Sequence, residues 1–333
     1  MAIDFHAYFQ PVAFLDRLRK RSGFPRIETI DGKEVVLSSA EVGRPLRPEQ
    51  NDIAARLAMM DEAGIDVQIL RLQNVSGIDA LELQEGREVA RAANEELAAL
   101  ARAHPGRFVP YASVPMRDVR YAIEELDHAV GQLGHRGVGI SVFTEGVAVD
   151  HLSVAPLLDR VERLGLPLLL LPNHPASTDA ALAPYGWLTG AFGFQVDLSI
   201  VALRLLCSGA LEQRPQLRVI LANLGGVLPF VTERLDQYWH RVHAGGNALP
   251  VPPTEALRRF YYETASGDPA AIRMTAEVIG ADRLVFGSDY PSFAMKRAVD
   301  NVRACGLGEA DIELILKGNA QRFMLPQHNA SAA

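Results

Sequence analysis

Cysteine is nearly missing from this chain: 333 residues contain two, Cys207 and Cys305. Two residues so far apart exclude a disulfide framework and a cysteine metal knuckle. Long apolar runs are missing as well. The longest, Leu166–Pro172, is a buried strand at most and falls well short of the roughly 20 residues that span a bilayer, so no membrane partner is expected. Positive charge is not in excess, since 33 Lys and Arg stand against 40 Asp and Glu for a net charge of −7. Without a basic stripe, nucleic acid is not an expected partner. Met1 runs straight into a strand-like segment, with none of the charged and apolar regions of a secretory leader, so a cytoplasmic protein is the expectation. No internal repeat is visible, and no low-complexity tract precedes the short Ala/Ser tail. One domain over 1–326 and a flexible tail over 327–333 are expected.

What the chain has is a regular alternation. Hydrophobic residues make up 48% and charged residues 22%, ordinary for a soluble protein with a large core. Short apolar runs fall at Ala2–Phe5, Val67–Leu72, Phe108–Ala112, Val138–Val142, Leu168–Leu171, Val219–Ala222, Phe260–Glu263 and Leu284–Phe286. Helical patterns lie between them, at Asn51–Ala63, Gly86–Ala103, Val119–Leu133, Val154–Leu164, Leu198–Leu211, Leu228–His243, Ala270–Val278 and Arg297–Ala304, with Ala310–Phe323 closing the chain. Strands alternating with helices predict an α/β fold with a parallel sheet, and eight strands predict a closed (β/α)8 TIM barrel. Two stretches break the spacing, Pro11–Gln50 after the first strand and Asn173–Val196 after the fifth. Both leave the C-terminal ends of strands, so both are insertions expected to overhang the mouth.

The chemistry is expected at that mouth. Leu284-Val285-Phe286 ends abruptly in Gly287-Ser288-Asp289-Tyr290-Pro291, and an acid at the C-terminal end of a barrel strand is placed for reaction. The opening Ile3-Asp4-Phe5-His6-Ala7-Tyr8 is another short strand ending in polar residues. First and last strands are neighbours in a closed barrel, so His6 and Asp289 are expected to meet there. Residues two apart share a strand face, which puts His6 and Tyr8 on the same side. Arg71 is an unusual charge in the run Ile69–Leu72, readable as a carboxylate clamp or as a rim ion pair. Glu263, ending the seventh strand, is readable as a substrate contact or a salt bridge. Lys33, Arg44 and Arg47 on the first insertion could reach an anion or lie in a solvated loop. His104, His128, His135, His151 and His328 read as surface residues.

These segments resemble the decarboxylase-like branch of the amidohydrolase superfamily, essentially end to end. Ile3–Tyr8 is similar to that branch's opening DxHxH strand. Ser208-Gly209, Arg214-Pro215, Leu224-Gly225-Gly226 and Leu228-Pro229-Phe230 resemble its sixth-strand region. Glu263-Thr264, Phe286–Pro291 and Gly318-Asn319-Ala320 resemble its last two strands and closing helix. The resemblance implies a homodimer, a small-molecule substrate and a divalent metal, usually zinc. Its ligands would be two strand-one histidines, a strand-five histidine and the strand-eight aspartate, with a strand-six histidine beside them. In this chain Tyr8 replaces the second histidine and Asn223 stands at the strand-six position. Leu171-Pro172 matches the family's His-Pro, and His174 follows three residues after Leu171. A zinc site needs about three protein ligands, and His6 with Asp289 supplies two. The expectation is therefore a site without a cofactor; the alternative is zinc on His6, His174 and Asp289.

The function expected on this basis is a metal-independent decarboxylase of a small unsaturated or aromatic carboxylic acid, run by a His6/Asp289 acid–base dyad with Tyr8 as a further catalytic group. Arg71, Asn223, His174 and Glu263 would contact the substrate. The alternatives are hydrolysis of a lactone, ester or related activated carbonyl (or hydration or cyclisation by the same dyad), and a non-catalytic small-molecule binding protein.

Overall fold

The computed structural model describes residues 1–324 except 41–42, 47–50, 74–76, 174–175, 243–248 and 266. His174, Arg47, His328 and the tail expected over 327–333 lie outside the described residues. Eight parallel barrel strands are formed: β1 (Ala2–Phe9), β2 (Ile65–Leu72), β3 in two pieces (Phe108–Pro110 and Ala112–Ser113), β4 (Val138–Ser141), β5 (Pro167–Leu171), β6 (Arg218–Leu221), β7 (Phe260–Glu263) and β8 (Leu284–Val285). The first piece of β3 pairs with β2 and the second with β4, so one strand joins both parts of the sheet. The ring closes between β1 and the end of β8. Phe5 N–H donates to Phe286 O at 2.8 Å, Asp289 N–H to His6 O at 2.7 Å and Tyr8 N–H to Tyr290 O at 2.8 Å. The (β/α)8 barrel is the observed fold.

Local chemistry explains where the helices begin and end. Asp52 caps helix Ile53–Ala63 by accepting from the Ala55 N–H, and Gly64 ends it in the left-handed region at φ 72°. Asp118 caps Val119–Gly131 and Asp268 caps Pro269–Ile279 in the same way, the latter with proline at the first helical position. The closing helix departs from a single run. It breaks into Glu309–Glu313, a π-helical turn Leu314–Gly318 and Asn319–Met324. Within the widened turn the Ile315 carbonyl accepts from Phe286 N–H at 2.9 Å, tying the segment to the last strand.

The first insertion folds as helix Val12–Arg19 followed by a three-stranded antiparallel sheet of Arg26–Ile30, Lys33–Leu37 and Gly43–Pro45. A separate apolar cluster fastens it to the barrel: Phe14, Leu15, Leu18 and Ile27 pack with Leu72, Ile78, Leu81 and Val89. The second insertion leads into a helical stretch, Thr189–Cys207, that is long and apolar enough by length and composition to cross a membrane. It is apolar on average rather than as an unbroken run, so it exceeds Leu166–Pro172, the longest unbroken apolar run, in length. In the fold its Leu198, Val201, Ala202, Leu205 and Leu206 are buried. His135 is also buried rather than on the surface; its Nε2 lies 3.0 Å from Asn94 O, and desolvation pushes its pKa down to about 4.

Candidate active site at the barrel mouth

His6 and Tyr8 come from alternate positions of β1, and their rings meet edge to face with centroids 5.0 Å apart. His6 Nδ1 lies 2.8 Å from Glu263 Oε2, and His6 Nε2 lies 2.8 Å from the Tyr8 hydroxyl. A carboxylate only accepts, so Nδ1 carries the proton and Nε2 is turned to Tyr8. Glu263 is fully buried and also accepts from Asn223 N–H at 3.2 Å and from Ala265 N–H. Gly287 makes this packing possible. A Cβ there would stand 1.9 Å from Glu263 Oε1, so a side chain on the strand-eight turn would expel the carboxylate. Burial works to lower the His6 pKa, but the Tyr8 oxygen, Glu263 and Asp289 outweigh it and hold the imidazole well above its usual 6.5.

Asp289 stands on the other side of the imidazole, with Oδ1 3.7 Å from His6 Nε2. Its backbone is left-handed, φ 55°, an uncommon state for a non-glycine residue that costs energy unless the surroundings enforce it. Desolvation raises its carboxyl to about 6, with Glu263 adding to the rise and His6 opposing it. Asn223 also has a left-handed backbone, and its buried Oδ1 has no hydrogen-bond partner among the described residues. Above these groups lies a cavity of about 540 Å³, within the size range of small-molecule sites. Its floor is His6, Tyr8, Asn223 and Asp289, and Phe14, Val36, Leu46, Phe194 and Phe293 contribute apolar wall.

Several expected roles change once the side chains are placed. The carboxylate hydrogen-bonded to His6 is Glu263, not Asp289, because Tyr8 occupies Nε2 at bonding distance while Asp289 stays at 3.7 Å. Glu263 is no substrate contact: it is 0% exposed and sits beneath the imidazole. Arg71 is no clamp either. It points into the barrel, 1% exposed, with its guanidinium 4.4 Å from the Tyr8 ring centroid, and lies so close to Gly139 that a Cβ there would meet it at 2.8 Å. Among the described residues the only Lys or Arg on the cavity wall is Arg44, from the edge strand of the first insertion. Lys33 is exposed on the hairpin and does not line the cavity. Sequence reasoning missed Gln10, the next residue on the His6–Tyr8 face, and the aromatic wall; the period of β1 was the available signal for Gln10.

A carboxylate-braced imidazole facing an acid at the C-terminal mouth of a closed barrel defines an enzyme site. The chain belongs to the amidohydrolase family, whose model matches residues 3–324, and to its decarboxylase-like branch. It is 33% identical over 288 residues to the gamma-resorcylate decarboxylase of Rhizobium sp. (strain MTP-10005), covering 80% of this chain and 85% of that one. The 2-amino-3-carboxymuconate-6-semialdehyde decarboxylase of Dictyostelium discoideum is 22% identical over 333 residues, covering 97% and 91%. Among solved structures, the 5-carboxyvanillate decarboxylase of Sphingomonas paucimobilis superimposes with a TM-score of 0.83 at 26% identity, covering 97% of this chain and 98% of that one. A dihydroxybenzoic acid decarboxylase from Polaromonas sp. JS666, solved with bound manganese and the inhibitor 2-nitroresorcinol, gives 0.80 at 28%, covering 97% and 96%.

That manganese overturns the expectation of a site without a cofactor. Counting strand-end histidines underrated the oxygen donors, which manganese accepts readily. Among the described residues no three His, Cys, Asp or Glu side chains form a ready cage. The mouth nevertheless offers the Asp289 carboxylate, the buried Asn223 Oδ1 and His6 Nε2, which the Tyr8 hydroxyl 2.8 Å away would yield to an ion. Glu263 on His6 Nδ1 is the outer partner that metal-binding imidazoles usually have. One nitrogen and two oxygen donors, with water or substrate completing the shell, fit such an ion.

Proposed function

We propose that the protein is a metal-dependent carboxy-lyase that removes carbon dioxide from a small hydroxylated aromatic carboxylic acid. The observation that carries the reading is the Glu263–His6–Tyr8 hydrogen-bonded chain facing Asp289 on the floor of the cavity. Decarboxylases of aromatic acids among the relatives support it. A divalent ion would be held by His6 Nε2, Asp289 and Asn223 Oδ1, and would supply positive charge to stabilise the anionic substrate. Arg44 grips the anionic substrate from the wall. The aromatic wall holds the ring and keeps water from it. When the bond between ring and carboxylate breaks, its electron pair stays on the ring carbon and carbon dioxide leaves. Asp289 carries the proton that this carbon takes up. Glu263 on Nδ1 keeps the imidazole in one tautomer and orientation throughout.

The homodimer implied by the family resemblance is part of the same proposal, supported by the exposed aromatics Trp187, Phe192 and Phe230. No observation favours the lactone-hydrolase or binding-protein readings over this one. The test is incubation of the manganese-supplied protein with a panel of hydroxybenzoic acids, including 2,6-dihydroxybenzoate. Carbon dioxide and the corresponding phenol are expected in equal amounts. Return of every acid unchanged would sink the reading.

A further inference from the structure

Asp4 is fully buried, lies two residues before His6 and takes no part in the cavity wall. Strict alternation would place it on the face of His6 and Tyr8. The register of β1 against β2 shifts between Asp4 and Ala7, and the Asp4 carboxylate turns instead toward the end of β8. There it collects four hydrogen bonds. Oδ1 accepts from His6 N–H at 3.1 Å and Ser288 N–H at 2.9 Å; Oδ2 accepts from the Ser288 hydroxyl at 2.6 Å and Gln68 Nε2 at 2.8 Å. The Ser288 hydroxyl in turn accepts from Tyr290 N–H at 3.1 Å. Arg56 extends the network, donating to Gln68 Oε1 at 2.8 Å and to Tyr8 O at 2.7 Å, with its guanidinium 4.7 Å from the Tyr290 ring centroid.

The backbone groups caught in this network are those of His6, Tyr8, Ser288 and Tyr290. Two carry the floor of the site, and the other two flank Asp289 on both sides. Asp289 itself sits in a left-handed conformation that needs enforcement, and its own side chain makes no bond to Asp4. A buried carboxylate is costly unless its oxygens are satisfied; here all four partners belong to the two segments whose ends form the site, or to the β2 glutamine that links them to Arg56.

We propose that Asp4 is a positioning residue, acting through Ser288 and the backbones of β1 and the strand-eight turn to aim His6 and Asp289 at a common point. This rests on the reading of His6 and Asp289 as the groups that hold the ion and the substrate. Two variants test it, Ser288→Ala and Asp4→Asn; the first carries the test if the second does not fold. The first readout needs no metal or turnover: amide hydrogen exchange followed by mass spectrometry. Both variants are expected to speed exchange in the 287–292 segment about tenfold or more, while the rest of the barrel exchanges as in the wild type. The second readout is manganese affinity by calorimetry on the metal-free protein, expected to weaken by roughly 10- to 100-fold, the range seen when outer partners of metal ligands are removed. Unchanged exchange at 287–292, or exchange raised evenly through the barrel with manganese affinity intact, would make Asp4 a merely structural residue and overturn the proposal. A wild-type protein that binds no manganese refutes the metal part of the proposed function instead, and the exchange result then decides the Asp4 inference alone.

Discussion

Replacing Glu263 by Gln keeps the length of the side chain but removes the negative charge 2.8 Å from His6 Nδ1 and leaves one oxygen where the Asn223 and Ala265 amides use two. The imidazole then loses both the group that fixes its tautomer and one that raises its pKa. We expect Glu263→Gln and His6→Ala each to lower kcat/KM about 100-fold or more, on the scale of acid–base and orienting groups in other active sites. Wild-type turnover by either variant would show that the braced imidazole has no part in the reaction. The same pair has a signature in the metal-free protein. His6 has a folded pKa above its ordinary 6.5, so the native state binds the extra proton between those values. Its contribution to stability is complete below 6.5 and is lost as the pH rises through the folded value. The difference in Tm between wild type and Glu263→Gln, measured with chelator, should be largest below pH 6.5 and shrink as the pH rises above it. A pH-independent gap would contradict the ion pair.

At the scale of elements, the first insertion decides what the mouth can hold. Its sheet edge Gly43–Pro45 brings Arg44 to the cavity wall, while Val36, Ser38 and Leu46 line it from neighbouring positions. The apolar cluster beneath makes this a fixed wall, because Phe14, Leu15, Leu18 and Ile27 are all buried against the barrel and its helix Leu83–Ala103. The ion pairs Arg17–Glu88 at 2.7 Å and Arg19–Glu34 at 2.6 Å are largely exposed and add little. Arg44→Ala is expected to raise KM for an aromatic acid about tenfold or more with a smaller effect on kcat, since the guanidinium binds the anion in ground and transition states alike. Steady-state rates across a range of acid concentrations measure the split. A fall in kcat with KM unmoved would place Arg44 in the reaction itself, not in the grip on the substrate.

For the whole molecule, the proposed ion would tie stability to activity. A metal that binds the folded chain alone adds RT ln(1 + [L]/Kd), about 2.7 kcal/mol at a hundred times Kd. Chelation should abolish carbon dioxide release, and manganese should restore it while raising Tm; turnover indifferent to chelator with no shift in Tm would refute a metal role. How far the molecule was legible from its residues follows from which contacts are local. The eight strands were legible because each is a short apolar run between helical patterns, and closure of the ring alone then brought His6 and Asp289 near one another. The antiparallel sheet of the first insertion was not, since its short strands carry Glu28, Lys33, Glu34 and Arg44 and show no regular apolar alternation. The identity of the imidazole's partner was not legible either. His6 and Glu263 are 257 residues apart, and which acid reaches Nδ1 depends on the space left by Gly287 against β7. Arg71 looked like a rim charge because a strand's period says which residues share a face, but not how deep in the barrel they lie. By itself the sequence determined the barrel, its family and the strand ends that meet at the cavity, because periodicity and short motifs are local. Only the tertiary structure decided which carboxylate holds the histidine, which arginine lines the cavity and where Asp4 points, because each depends on distances between segments that sequence order does not contain.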